Sequence, residues 1–392
     1  MRYNKSVAQK GTLIIDIDSS SVGACILTNV DGRPTLSQVK RVPVGTGATT
    51  GAAALIPLLK EALPVLLKEY GTINPSHVFV TLASPWFSAT LRTLASRSEK
   101  PVRISTSTVQ KIVTDHKTTE HPAGLPLESL PITVSINGYR TRVRRPVSGT
   151  TLAVTLYESA IDEQCARIVK DAVRAVAPHA KLIVHSTPIV YAEVCMTLSN
   201  ADYATIVDVG GEQSDIVLLS HGTIAFVGSL PEGSRSVART VASALAGKGE
   251  GSLVDAQSRL AMLAGGELAD AETQATAAAL TNAATSWRTS FMAMLAQIGN
   301  TVPVPHRIIA VGESDDMRWF TRVIAGVSQV QGAAVHPGEP ELIAPEFFGG
   351  AVSFGEGGVY DGSLALAALF FHMRHGKHTA ESAQVPVLYS VQ

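Results

Sequence analysis

Two short segments of this chain each combine an apolar run, an aspartate and a turn of small polar residues. The first covers residues 13–21 and carries Asp16, and the second covers residues 205–216 and carries Asp208. Small residues let backbone N–H groups approach anionic oxygens closely, and an acid at the end of a strand can hold Mg2+ through water. Two such turns facing each other across a cleft would therefore bind the phosphates of a nucleotide.

The order of the segments along the chain strengthens this weak local signal. Residues 307–312 form a third segment, an apolar run that ends in Gly312. Asp16 and Asp208 occupy equivalent places in two stretches that each begin with a strand, an acid and a small-residue turn and then continue into hairpins. Their separation is far too long for a solenoid repeat, so the sequence predicts two related halves.

Strands and helices mix along the chain, as in an α/β protein. Asn137-Gly138 lies between two apolar runs and predicts a hairpin. Strands are also predicted at residues 78–82, 151–156, 182–185, 204–209 and 215–220. Helical spacing predicts helices at residues 161–176, at 254–298 with a break near Gly265-Gly266, and at 364–373, the last of them buried.

Composition limits the classes of protein that the chain can belong to. It has 392 residues, 32 Lys and Arg against 33 Asp and Glu, and a net charge of -1, which argues against a nucleic-acid binder. Only 17% of the residues are charged and mean hydropathy is +0.20, which indicates a large core or surfaces covered by partners. The sequence contains no apolar run of the roughly 18 residues that a membrane span needs, and it shows no signal-peptide pattern.

The three cysteines, Cys25, Cys165 and Cys195, lie far apart and show neither a disulfide framework nor zinc-ligand spacing. They are expected to be core residues in a reducing compartment, so the sequence predicts a cytoplasmic protein.

The three segments resemble the phosphate-1, phosphate-2 and adenosine motifs of the actin-like ATPase superfamily, in the order that this superfamily has. The resemblance covers about residues 11–375. It implies an α/β fold of two domains, a duplicated ribonuclease H-like unit, with ATP and Mg2+ in the cleft between them. Asp16 and Asp208 would organise the metal. The nucleotide contacts that the resemblance implies are Asp18, Ser19, Ser20, Ser21, Gly210, Gly211, Glu212, Gln213, Gly233, Gly312 and Glu313.

Several residues depart from the superfamily pattern. Asp18 stands where the family usually has glycine, and a carboxylate there would repel phosphates unless a metal bridges them. Gly23 lies near the place of a basic phosphate contact in many relatives, and Glu313 replaces a glycine of the adenosine motif. The acid before a proline that many relatives use to orient water is Thr187 here, with Glu193 as a weak substitute. The resemblance thus implies at most a weak ATPase.

The segment between the first two motifs resembles the inserted domain of the cell-division protein FtsA and the type IV pilus assembly protein PilM. The matching residues are 77–85, 136–140, 145–149 and 151–157. Trp86 and Phe87 are expected to pack inside this domain. The predicted divisions are 1–76 for the start of the first half, 77–184 for the insert, 185–203 for the return to the first half, 204–360 for the second half with a helical subdomain at about 248–300, 361–375 for a final helix that packs back on the first half, and 376–392 for a flexible tail.

Residues 376–392 bear on the choice between these two families. FtsA usually ends in an amphipathic membrane helix, whereas this stretch has Lys377 as its one basic residue and is interrupted by Pro386. The favoured hypothesis is a PilM-like cytoplasmic scaffold at the inner face of the membrane. It would bind a short peptide of an inner-membrane protein in pilus or secretion-system assembly, and self-association into dimers or filaments is open. The alternatives are an FtsA-like division scaffold, a metabolite kinase of the same superfold, and a pseudo-ATPase that binds no nucleotide.

Overall fold

Three β-sheets organise the residues that the computed structural model describes, which are 11–44, 52–71, 73–116, 124–141, 143, 145–246, 251–329, 338–355 and 359–375. The strands are β1 (Thr12–Ile17), β2 (Ser21–Val30), β3 (Arg33–Pro43), β4 (His77–Leu82), β5 (Phe87–Ile104), β6 (Leu125–Ile136), β7 (Tyr139–Arg140), β8 (Val147–Ile161), β9 (Lys181–Ser186), β10 (Ala204–Val209), β11 (Ser214–Leu219), β12 (Ile224–Leu230), β13 (Ile308–Gly312), β14 (Pro340–Leu342) and β15 (Ser353–Phe354). The helices are α1 (Ala52–Lys68), α2 (Thr106–His116), α3 (Glu163–Val176), α4 (Thr187–Ser199), α5 (Ser234–Ala246), α6 (Leu253–Gly265), α7 (Asp270–Gly299), α8 (Ser314–Ala325) and α9 (Gly362–His375).

The first two sheets repeat one strand order. The six-stranded sheet runs β15-β3-β2-β1-β4-β9, and the five-stranded sheet runs β12-β11-β10-β13-β14. In each, an antiparallel hairpin (β1–β2 or β10–β11) continues into a parallel neighbour of its first strand (β4 or β13). The predicted duplication is therefore confirmed, and Asp16 and Asp208 lie one residue before the end of equivalent strands.

Alternating side chains of the central strands build separate cores on the two faces of each sheet. Leu13 and Ile15 of β1 pack with α1 and α3, whereas Ile14 faces α4 and α9. Ile206 of β10 joins the same core as Ile14, and Val207 packs with α5 to α8. Helices α4 and α9 are thus a middle layer shared by the two sheets. Burial on both faces explains the continuous apolar runs and the low proportion of charged residues.

The alanine-rich stretch of the second half forms α6 and α7, as its spacing predicts. Ser252 caps the start of α6 by accepting a hydrogen bond from the backbone N–H of Asp255. Gly266, with φ of 72°, ends the same helix in the left-handed conformation that glycine favours. The predicted break at Gly265-Gly266 is therefore the boundary between the two helices.

The inserted sheet is narrower than residues 77–184. Its strand order is β5-β8-β6-β7, and its own core includes Leu94, Val109 of α2, Val134 and Val154. Strands β4 and β9 lie at the two ends of the predicted insert. In the six-stranded sheet β4 pairs with β1 on one side and with β9 on the other. Helix α3 packs with α1 in the core of the first half. Apolar runs mark strands but not the sheet they join, and the inserted sheet itself consists of β5 to β8.

Two further predictions concern the edges of the insert. Asn137 and Gly138 have φ of 51° and 83° and close the predicted hairpin between β6 and β7. The prediction that Trp86 and Phe87 pack inside the insert is wrong. Both belong to the core of the first half, and Trp86 is 0% exposed.

Helix α9 forms the middle layer together with α4. Its residues from Leu364 to Phe371 are buried, and the Phe370 ring lies 5.8 Å from that of Phe79 and 5.2 Å from that of His185, between centroids. No helix within the described ranges is long and apolar enough to cross a membrane. The predicted flexible tail at residues 376–392 lies outside the described residues.

Phe370→Ala should lower the free energy of unfolding by about 3–5 kcal/mol, because it leaves a cavity between two sheets that cannot both collapse onto it. Urea unfolding followed by circular dichroism would measure this loss. Tyr139→Ala is the matched control, since this aromatic ring is 80% exposed, and its effect should stay within about 0.5 kcal/mol. Equal losses in the two variants would contradict the middle layer as a shared core.

Candidate functional site

The two predicted phosphate turns touch each other directly. We call residues 18–20 the first turn and residues 210–213 the second turn. The backbone N–H of Gly211 donates to Asp18 Oδ2 at 3.2 Å, and that of Glu212 donates to Ser19 Oγ at 3.0 Å. The structure therefore brings together the two turns that the sequence predicted to face each other, but with no gap between them.

Glycines at three predicted positions permit this close approach. A Cβ atom on Gly210 would lie 2.3 Å from Asp18 Oδ1, and one on Gly211 would lie 2.2 Å from Ser20 Cβ. A Cβ on Gly233 would lie 2.2 Å from the Gly210 carbonyl oxygen. The three glycines thus make room for protein atoms of the first turn and of the second turn itself.

Arg235 and Ser21 complete the contacts of the first turn. The Arg235 guanidinium, on α5 of the second half, donates to the carbonyl oxygens of Ser20 at 2.7 Å and Val44 at 3.1 Å. Ser21 accepts the N–H of Asp18 on its carbonyl at 2.9 Å, which closes the turn. Arg235 was not identified from the sequence, because nothing in its local pattern indicates that it crosses to the other half.

Arg41 of β3 is the basic group at the first turn. Its Nη2 donates to Asp16 Oδ2 at 2.9 Å, its Nη1 to Ser21 Oγ at 2.8 Å, and its Nε to Asp361 Oδ2 at 2.8 Å. Gly23 pairs with Arg41 across β2 and β3, and a Cβ on Gly23 would lie 2.8 Å from Arg41 Nη2. The absence of a basic residue at position 23 suggested that the turn lacks a cation. The structure shows that Arg41 supplies one. The sequence signal would have been a glycine opposite an arginine in a hairpin.

Asp16 is part of this ion-pair network. Thr81 of β4 donates to its Oδ1 at 2.8 Å while Arg41 donates to its Oδ2. Burial raises the pKa of Asp16 to about 6, although the charge of Arg41 acts in the opposite direction. Both oxygens of the predicted metal ligand are thus used by protein donors.

Asp208 differs from Asp16 because no hydrogen bond reaches its carboxylate from any residue that the structure describes. It is 7% exposed. Burial raises its pKa well above the usual range, and the charges of Asp215, Asp18 and Asp16 raise it further. It lines a cavity of about 10 Å³ with Asp16, Asp18 and Glu313, which is at the lower limit of what one water molecule requires.

The remaining residues predicted to contact the nucleotide also contact protein. Glu313 Oε1 lies 2.9 Å from Ser20 Oγ, and a Cβ on Gly312 would lie 2.8 Å from the Val209 carbonyl oxygen. Glu212 is paired with Arg239 of α5 at 2.8 Å. The Gln213 carbonyl oxygen would lie 2.8 Å from a Cβ on Gly210.

The base of the insert contacts the first turn and strands β11 and β12 of the second half. Trp86 Nε1 donates to the carbonyl oxygen of Asp18 at 3.0 Å. The backbone N–H of Ser84 donates to Asp215 Oδ2 at 2.9 Å, and its hydroxyl lies 2.9 Å from that of Ser229 on β12. Asp215 is therefore a bridge between the insert and the second half.

Glu193, the weak catalytic candidate, lies in the middle layer and forms an ion pair with Arg374 of α9. Glu193 is 1% exposed. Burial raises the pKa of its carboxyl group, whereas Arg374 lowers it. A carboxylate held in such a pair is not free to orient a water molecule, so the structure gives Glu193 a role in helix packing.

The described conformation does not fit ATP with Mg2+. Backbone N–H groups in small-residue turns are the donors that would bind phosphate, and the Gly211 and Ser20 N–H groups donate to Asp18 instead. The roles that the resemblance implied for Asp18, Ser19, Ser20, Gly210 and Gly211 are thus taken by contacts between the turns.

Comparisons with known proteins place the chain by its fold. No family model and no curated protein matches the sequence. A solved structure described as a PilM-PilN type IV pilus biogenesis complex matches with a TM-score of 0.60 at 15% identity, covering 93% of this chain and 98% of the other. A protein of unknown function with an actin-like ATPase fold, from Bacteroides thetaiotaomicron, gives 0.40 at 9% over 94% and 99%. The ethanolamine utilization protein EutJ from Carboxydothermus hydrogenoformans gives 0.43 at 10% over 91% and 87%.

The first of these matches shows a shared fold, and the two lower TM-scores are too small to carry an argument. Together with the duplicated sheets, it confirms the predicted fold: two actin-like domains and a small α/β insert. The chain is similar to PilM in structure over nearly the whole length of both chains.

Arg41→Met should lower the free energy of unfolding at pH 7 by about 3–5 kcal/mol, because it leaves the buried Asp16 and Asp361 without their cation. Denaturant unfolding would measure this loss. Lys40→Met, the neighbouring residue in an exposed pair with Glu69, should cost at most about 1 kcal/mol. A loss that small for Arg41→Met would show that the network does not hold the first turn.

Asp208→Asn should stabilise the protein at pH 8 and have little effect at pH 4. Because the pKa of Asp208 is raised in the folded state, the stabilisation from its protonated form is complete below about 4 and is lost as pH rises through the folded pKa. Asparagine keeps the shape and removes this loss. Unfolding free energies at pH 4 and 8, in EDTA, would test it, with exposed Asp171→Asn as control. Lower stability of Asp208→Asn at pH 8 would contradict the absence of a partner.

Proposed function

We propose that this chain is an actin-like scaffold that binds a short peptide of an inner-membrane protein during type IV pilus or secretion-system assembly. The proposal is supported by the fold that it shares, over 93% of its length, with a protein solved in a PilM-PilN complex. The inserted sheet lies within residues 87–161, a segment longer than the uncovered part of the chain, so the similarity extends into it. The protein would lie in the cytoplasm, at the inner face of the membrane through its partner.

One observation supports a scaffold over an enzyme: side chains of the first turn accept the backbone N–H groups of the second turn. A nucleotide-driven enzyme or a metabolite kinase needs phosphate-binding N–H groups that are available to substrate, and those of Ser20 and Gly211 donate to Asp18. Glu193, the weak candidate for a catalytic residue, forms an ion pair with Arg374. We therefore infer that the role depends on surfaces outside the cleft between the halves.

A surface cleft at the base of the insert is the best seat for a peptide. It has a volume of about 390 Å³ and is lined by Pro85, Trp86, Phe87, Ala160, Asp162 and Arg167, among others. That volume is in the range of sites for small ligands, roughly 300–1,000 Å³. The cleft lies where the inserted sheet meets α3, so both of its walls belong to well-packed elements.

The lining defines the chemistry of the occupant. Phe87, which is 8% exposed, provides a small apolar floor, whereas Trp86 lines the cleft but is 0% exposed and offers an occupant no accessible surface. The Asp162 carboxylate is already used, because it accepts the backbone N–H groups of Gln164 at 2.8 Å and Cys165 at 2.9 Å as the cap of α3. Arg167 is exposed on the rim. A fitting peptide would place an apolar side chain on the floor and a carboxylate near Arg167.

Peptides of membrane proteins encoded beside this gene offer a direct test. Synthetic peptides that cover their non-membrane segments would be titrated by fluorescence polarisation against the full chain. We expect one peptide to bind, and Arg167→Glu to weaken it at least tenfold, about 1.4 kcal/mol, because the charge near the peptide carboxylate is reversed. Arg174→Glu, two turns further along α3, should have no effect.

Each negative outcome is informative. If no peptide binds, the scaffold proposal fails. If a peptide binds equally well to Arg167→Glu, the seat is wrong and the scaffold role stands. Binding only by peptides of division proteins would replace pilus assembly by an FtsA-like role.

A further inference from the structure

The carboxylate of Asp18 lies at the centre of the contact between the two turns. Its Oδ2 accepts the backbone N–H of Ser20 at 3.2 Å and the backbone N–H of Gly211 at 3.2 Å, one from each turn. The Ser20 hydroxyl donates to the same oxygen at 2.6 Å. Asp18 is 8% exposed, so these donors are largely removed from water.

This arrangement has the chemistry of an anion site with its anion in place. Backbone N–H groups from turns of small residues form a concavity that favours negative charge. Hydrogen bonds to an ionised acceptor are stronger than those between neutral groups. Asp18 supplies that charge from within the chain, so no external ion needs to lose its translational freedom to fill the site.

The surrounding contacts show that the site has no space for a second anion. Asp18 Oδ1 would be 2.3 Å from a Cβ on Gly210, and the neighbouring cavity measures about 10 Å³. The nearby cations have other partners, since Arg41 is bound to Asp16 and Asp361, and Arg235 to the Ser20 carbonyl oxygen. Three further carboxylates line the same cavity, those of Asp16, Asp208 and Glu313, and they would repel a phosphate.

We propose that Asp18 is an internal anionic ligand: its carboxylate occupies the phosphate-binding turns and closes the two halves without a nucleotide. Removing it should both loosen the contact between the turns and create a vacant site for an anion of the phosphate class. This inference is independent of the proposed peptide seat, which lies at the base of the insert.

Hydrogen–deuterium exchange of the backbone around residues 209–213 would test the contact. In the wild-type chain these N–H groups should exchange slowly. Exchange should be at least tenfold faster in Asp18→Gly, and at least threefold faster in Asp18→Asn, which keeps the size but loses the charge. Asp31→Gly, in an exposed turn where φ is 50°, controls for the added glycine and should match the wild type.

Inorganic pyrophosphate is the probe for the vacated site, measured by calorimetry with and without Mg2+. We expect no heat at 1 mM with the wild type, binding by Asp18→Gly with a dissociation constant of roughly 1 mM or tighter, about -4 kcal/mol, and a return to slow exchange when the probe is saturating. Equal binding by wild type and Asp18→Gly would overturn the proposal. So would unchanged exchange in Asp18→Asn, which decides the matter if Asp18→Gly does not fold.

Discussion

A single carboxylate joins the two halves of this chain at the point where their loops come closest. Asp18 extends from the first turn to the N–H of Gly211 in the second, and the other contacts of the cleft are arranged around that bond. The Glu212 N–H donates to Ser19, and Arg235 donates to the Ser20 carbonyl oxygen. Both hydrogen bonds require that the two turns lie in contact. Glycine at positions 210 and 211 is the steric condition for this contact.

The same contact concentrates acid in a buried place. Asp16 and Asp208 sit on equivalent strands, and the duplication brings both beside Asp18 when the halves close. Arg41 offsets the charge on the first half by binding Asp16 and Asp361. Among the described residues of the second half, no cation is paired with Asp208. Burial, followed by the charges of neighbouring acids, raises the pKa of Asp208.

The insert is attached to this seam at its base. Trp86 donates to the Asp18 carbonyl oxygen, and Ser84 donates to Asp215 of the second half. Its outer part has a separate core, while the cleft of about 390 Å³ lies between that part and α3. A peptide in the cleft would contact Phe87, the neighbour of Trp86, whose indole N–H donates to the first turn. The proposed peptide site and the contact between the halves thus share one structural element.

Local patterns in the sequence were enough to predict the duplicated hairpins, Asp16 and Asp208 at their ends, the Asn137-Gly138 turn and the break at Gly265-Gly266, because each depends on residues close together in the chain. The resemblance to the actin-like ATPase superfamily also marked Asp18 as a departure from the usual glycine. The tertiary structure decided what fills the cleft: Arg41 sits beside Asp16 through strand pairing, and Asp18 meets Gly211 across 193 residues of sequence separation. It also assigned β4, β9 and Trp86 to the first half. Sheet membership and contacts between halves are set by long-range packing, which periodicity in the sequence does not encode.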